Sequence, residues 1–395
     1  MIAFSRATQL LWSAVARPPL CYGGRIDGRV KPPYVPRTCA RSRKSEGHRS
    51  RNATNTVSKS GGRAAALQGG FATLLLLLLA PLTFAQALTS TDRGVVVAHD
   101  GRVELAGRWN VEGVTHATAI VAGEDRVAVL DALNDEAVVV DLESGKATRI
   151  RTAATPVAAT FLGRQLYILA RDARLLQHEG GGIDIPLAAD PAFLATFNGR
   201  LYIYARAAGV IEESDGTRIL RRVQVAPFAS DFEIAGGVAY LAYPREARIR
   251  TVSLASMKPG GDLAVGAVPV DLAFAGGGTA LTARIVAVAD PSAKRVWLAE
   301  GTQSTAEAVA RGVVRGLLGL GLFHSRASDF PTGVDRVETR GPVWIAYDTS
   351  SGTLYRFTRK GSTLLARNVA PGGFALTARG VAWWDGTSVA EKTLR

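Results

Sequence analysis

Residues 126 to 150, RVAVLDALNDEAVVVDLESGKATRI, constrain what this chain can fold into more than any other stretch. They read as three short strands, Val127 to Leu130, Ala137 to Asp141 and Ala147 to Ile150. A loop over Asp131 to Glu136 and a tight turn over Glu143 to Lys146 join them. Apolar runs this short, broken by Asp, Asn and Gly, make an antiparallel meander and not a helix. Weaker copies follow at similar intervals, the signature of a sheet repeated around an axis.

A proline marks the copies. Pro156 precedes LYILA, Pro191 precedes LYIYA, Pro227 precedes VAYLAY, Pro331 precedes VWIAYD and Pro371 precedes VAWWD. With Pro269 as a further start, the spacings are 35, 36, 42, 62 and 40 residues, and all but one fit a four-stranded blade. A proline at the entrance to a first strand costs no ladder hydrogen bond.

The pattern predicts an all-β fold, a seven-bladed β-propeller closed by pairing N- and C-terminal strands. The blades are expected near 115–153, 156–188, 191–224, 227–265, 269–330 and 331–369, and the seventh joins 371–395 to the hairpin at 93–107. Sharing one blade between the two extremities would remove exposed sheet edges. A pair of β-sandwiches is the competing architecture, but it leaves the regular proline without a reason.

The long 62-residue interval holds STAEAVARGVVRGLLGLGLF, Ser304 to Phe323. Ser304 and Glu307 have capping-box spacing, and Val309, Val313, Leu317 and Leu320 share a face, so a helix is expected near 304–323. Gly312, Gly316 and Gly319 each weaken it by about 1 kcal/mol, so docking must hold it.

Charge separates the chain into parts. Residues 1–63 carry 13 Lys or Arg against Asp27 and Glu46, residues 64–87 carry no charge, and the remainder has 34 bases and 32 acids. The basic excess therefore belongs to the leader, and the body offers no electrostatic case for nucleic acid. We read 1–62 as a disordered basic leader or a mis-assigned start, with Val57 a candidate initiation point. Residues 63–87 read as a secretory signal peptide, with FATLLLLLLA as its apolar centre and Ala85-Gln86-Ala87 ahead of cleavage after Ala87. An organelle transit peptide over the first residues is the alternative. The mature part, 88–395, is expected to be exported, periplasmic or secreted, with no transmembrane span and monomeric. Both cysteines, Cys21 and Cys39, precede it, which excludes disulfides and thiolate chemistry from the body.

Residues 126 to 150 resemble the YVTN and NHL-type propeller repeats of exported bacterial proteins: an apolar strand, a short Asp/Asn loop, Val-Val-Val-Asp, then a Ser-Gly-Lys turn. The likeness is good over one blade and degenerate elsewhere. Such repeats occur in lactonases, lyases and binders without catalysis, so it implies fold and not activity.

In a propeller, ligands meet the segments that lead into the first strands. Aligned there, His116 occupies the place that Thr155 and Asp190 hold before their prolines, and Asp231, Asp271 and Asp335 lie within four residues after theirs. One imidazole and four carboxylates could hold a cation or a basic or polyhydroxyl ligand. The plainer reading is that these acids cap turns. Asp131, Asn134, Asp135 and Glu136 crowd one loop, but their spacing is not that of a calcium loop and a solvated hairpin is favoured. No two histidines of the body have local zinc spacing, and no nucleophile elbow, phosphate loop or dinucleotide fingerprint occurs. Trp297, Trp344, Trp383 and Trp384 fall on strands and are expected to pack between blades.

The residues thus support a ligand-binding or protein-interaction module whose partner is an unknown protein or polar small ligand. No cofactor or metal is assigned. The competing function is a lactonase- or lyase-like enzyme at the channel mouth, with His116 as base and rim carboxylates placing a divalent metal.

Overall fold

The computed structural model describes residues 87–264, 268–275, 285–300, 326–340, 343–358 and 361–394. Among them the chain forms eight antiparallel sheets in sequence order, over 87–112, 117–151, 156–186, 191–224, 231–264, 271–329, 336–366 and 374–393. We number them blades 1 to 8. The first seven have four strands each and the last has three. Every blade is a meander in which each strand pairs with the next one in the chain.

The second strands show why these runs fold this way. Arg126–Asp131, Gln165–Ala170, Arg200–Ala205 and Ile285–Asp290 are buried from their second residue to their last. A sheet with neighbours on both faces has no water side, so its inner strands need apolar residues at every position. Alternate side chains then serve different cores. In blade 2, Val127 and Val129 pack with Val96 and Ala98 of blade 1. Ala128 and Leu130 pack with Phe161 and Ile168 of blade 3. The outermost strands, such as Ala147–Arg151, are mostly exposed and carry the charge.

First strands line the centre, each against the first strand of the next blade. Pro156 and Pro191 are the first residues of Pro156–Leu162 and Pro191–Phe197. Pro227, Pro269, Pro331 and Pro371 lie shortly before Asp231–Ala235, Asp271–Ala275, Arg336–Arg340 and Phe374–Leu376.

The count of seven and the shared closing blade are both overturned. Gly94–His99 and Arg102–Leu105 belong to a complete blade 1, between Ala87–Thr91 inside and Trp109–Glu112 outside. Phe374–Leu376, Gly380–Trp384 and Val389–Thr393 form a separate sheet, so pairing does not close the fold. Two features hid the extra blade. ALTST has small and polar residues with no strand alternation, yet its Ala87, Leu88 and Thr89 are buried, because the crowded first strands near the axis accept small side chains. WNVE is a short outer strand, only half-buried. Among the described residues no strand of blade 1 pairs with one of blade 8, and the two meet through side chains, Leu88 and Val97 against Ala375 and Trp384.

The helix expected over 304–323 lies outside the described residues, as does the leader. Among the described residues the only helical element is a single 3-10 turn, Pro244–Glu246. No helix among them is long and apolar enough to cross a membrane.

Candidate functional site

The five residues expected at the channel mouth stand at one end of their blades' first strands. His116, Asp190 and Asp335 come directly before Ala117–Ala122, Pro191–Phe197 and Arg336–Arg340. Asp231 and Asp271 open Asp231–Ala235 and Asp271–Ala275.

Three of them are stapled within their own blades. The backbone N–H of His116 donates to Asp131 Oδ2 at 3.2 Å. Asp190 Oδ2 accepts from Arg206 Nε at 2.9 Å, and Asp335 Oδ1 accepts from the N–H and Oγ1 of Thr349, both at 3.0 Å. Each bond ties the segment entering a blade to the end of the second strand or the turn after it. Asp131 shows the motif most fully. Its carboxylate accepts from Thr115 N at 2.9 Å, Asn134 Nδ2 at 2.9 Å and Asn134 N at 3.2 Å. Burial pushes this carboxyl up, but bonds from the Asn134 amide, the His116 and Asn134 N–H groups and Thr115 hold it below the ordinary range.

The crowded loop of blade 2 is accordingly scaffold. Asp131 faces the entering segment, Asp135 Oδ1 accepts from Thr155 N at 2.8 Å, and Glu136 pairs with Arg149 at 2.6 Å. Its acids diverge, and no group of three His, Cys, Asp or Glu among the described residues could hold a metal ion. The tryptophans sit at blade junctions: Trp344 and Trp384 are in buried cores, and Trp297 and Trp383 lie against others.

Asp231 and Asp271 behave differently, because their carboxylates cross between blades. Asp231 Oδ2 accepts from Leu272 N of blade 6 at 2.8 Å, and Asp271 Oδ2 accepts from Val337 N of blade 7 at 2.7 Å. Strand alternation puts Glu233 on the face of Asp231 that looks toward blade 6. Burial, and then the charges of Asp231, Asp271 and Glu338, push Glu233 well above the usual carboxylate range. Glu233 itself is half-buried. Glu338 is raised by its burial, against the opposing charge and hydrogen bond of Arg336. Arg336 Nη2 donates to Glu338 Oε1, and its guanidinium lies 4.5 Å from the centroid of the Phe374 ring.

The first strands of blades 5 to 7 thus carry four carboxylates, Asp231, Glu233, Asp271 and Glu338, with the Arg336 guanidinium set against Glu338. Glu233 is pushed toward its protonated form, Asp231 and Asp271 accept the interblade N–H groups, and Arg336 offsets Glu338. Asp231 and Asp271 of the expected ring belong to this cluster, while His116, Asp190 and Asp335 stay in the staples of their own blades. Sequence reasoning missed Glu233, Arg336 and Glu338. A signal existed: Asp231-Phe-Glu233 and Arg336-Val-Glu338-Thr-Arg340 alternate charge with apolar residues just after a marker proline, in strands that should otherwise be apolar.

No family model and no curated protein matches the chain. Solved structures do. The dihydro-heme d1 dehydrogenase NirN in complex with DHE aligns at TM-score 0.56 and 10% identity, over 78% of this chain and 72% of that one. BamB from Moraxella catarrhalis aligns at TM-score 0.52 and 12% identity, over 77% and 94%. A streptogramin B lyase aligns at TM-score 0.48 and 14% identity, over 67% and 88%, too loosely to carry an argument. At these identities the likeness shows the β-propeller fold alone.

Proposed function

We propose that the chain is an exported β-propeller binding module whose ligand presents a basic or polyhydroxyl group to the first-strand carboxylates of blades 5 to 7. The observation that carries this reading is the gathering of Asp231, Glu233, Asp271 and Glu338 on three successive first strands, with Asp231 and Asp271 each bonded into the next blade, while the other described first strands carry no ionisable side chain. Buried charge of one sign is costly unless it is offset, and a ligand cation or a set of hydroxyls offsets it. Export is supported by the basic leader, the apolar run 71–80 and Ala85-Gln86-Ala87. The likeness of residues 126 to 150 to repeats of exported propellers points the same way. Ala87 opens the first strand, so cleavage after it removes one pair, Ala87 with Ala98, and leaves four in that ladder.

Isothermal titration of the mature protein with arginine amide, spermidine and maltose tests the site. Saturable binding of one of them, weakened at least about tenfold by Asp271→Asn, is the expected result, the size of one charge-assisted hydrogen bond. Binding indifferent to that change, or no saturable binding of any of the three, refutes the assignment. N-terminal sequencing of the mature protein tests export separately.

A further inference from the structure

Successive blades are tied together by the chain itself, but blades 8 and 1 are not, and no ladder joins them. Their shared buried core is small, Leu88, Val97, Ala375 and Trp384. His99, the last residue of Gly94–His99, lies at this seam with its side chain fully buried. Its ring is 4.1 Å from the Trp384 ring of blade 8, centroid to centroid, tilted by 32°. Trp384 is itself 2% exposed.

The surroundings of His99 distinguish its two protonation states. Nδ1 is 3.1 Å from Asp100 Oδ2. Nε2 is 3.3 Å from Glu104 Oε1, and also 3.4 Å from Arg102 Nε. A neutral ring with its proton on Nδ1 donates to Asp100 and accepts at Nε2 from Arg102, which turns a lone pair toward Glu104. A protonated ring donates to both Asp100 and Glu104, and presents a cation to the Trp384 face. One proton therefore decides whether Nε2 pairs with Arg102 or with Glu104. The groups placed against the imidazole are Asp100, Arg102 and Glu104 from blade 1 and the uncharged Trp384 ring from blade 8.

We propose that His99 is a proton-operated lock on the seam between the first and last blades. With the proton on, the ring gains a carboxylate bond within blade 1 and a cation–π contact across to blade 8, and the junction tightens. With it off, the junction rests on its small apolar core and opens locally more often. A histidine is the side chain suited to this, because imidazole titrates between about pH 5 and 8.

Hydrogen–deuterium exchange of the mature protein, read by mass spectrometry at pH 5.5 and pH 8 and corrected for intrinsic exchange, tests the lock. Peptides over 87–99 and 374–393 should open about tenfold more often at pH 8, the scale of a cation–π contact with a charge-assisted bond. Blade 4, over 191–224, should change much less. His99→Gln should remove the difference, and Glu104→Gln, at a partly exposed side chain, should reduce it and keep the fold should the first variant not accumulate. The lock is refuted if the seam peptides respond to pH no more than blade 4 does, if their response survives in His99→Gln, or if it is undiminished in Glu104→Gln.

Discussion

Removing the carboxylate of Asp271 isolates the contribution of one interblade bond. Its Oδ2 accepts from Val337 N at 2.7 Å, and the two residues are only 4% and 2% exposed. A buried donor stripped of its partner costs about 1–3 kcal/mol. A compensating gain has to be weighed, because the charge of Asp271 also repels Glu233. Glu233 is pushed toward its neutral form, which reduces that repulsion. Asp271→Ala should therefore lose about 2 kcal/mol, and Asp271→Asn, which keeps an oxygen for the N–H, about 1 kcal/mol or less. Urea denaturation at pH 7, compared by midpoint at unchanged slope, measures both. Equal losses for the two variants would show that the interblade bond is not what Asp271 contributes, as would an alanine loss below about 0.5 kcal/mol.

Arg336 and Glu338 have side chains 8% and 7% exposed. Arg336→Met, which leaves the carboxylate without its counter-charge, should cost about 3–5 kcal/mol, and adding Glu338→Leu should recover most of it in thermal denaturation. The pH dependence of stability should have two limbs of opposite origin. Glu233 and Glu338 are raised in the fold, so their contribution is complete below the unfolded value near 4.5 and is lost as pH rises through their folded values. Glu233→Gln should flatten that alkaline limb in denaturation midpoints taken across pH. Asp131 and Asp348 are lowered, so their contribution is present above the ordinary 3.8 and is lost as pH falls through their folded values. Asp131→Asn should shorten the acid limb and leave the alkaline one unchanged.

The repeat was legible because blade packing leaves a local trace. Second strands such as VAVLD and IVAVAD are apolar at every position before a closing Asp, and a proline stands at or shortly before most first strands. Such marks need no knowledge of neighbours. The number of blades was not legible, because the first strand of blade 1 is ALTST, which only its place near the axis buries. Among the candidate residues, the sequence showed that His116, Asp190, Asp231, Asp271 and Asp335 hold related positions. It could not show that two of them reach the next blade while three staple their own.

Composition and spacing alone settle that the body is a run of short antiparallel meanders with its charge nearly balanced, because strand period, turn residues and charge are properties of adjacent residues. The folded chain alone decides that there are eight blades, that the first and last meet through side chains without a shared sheet, and that Glu233 shares its surroundings with Glu338. Glu233 and Glu338 are far apart in the chain, and the distance between their strands follows from how successive blades stack around the axis, which no local pattern encodes.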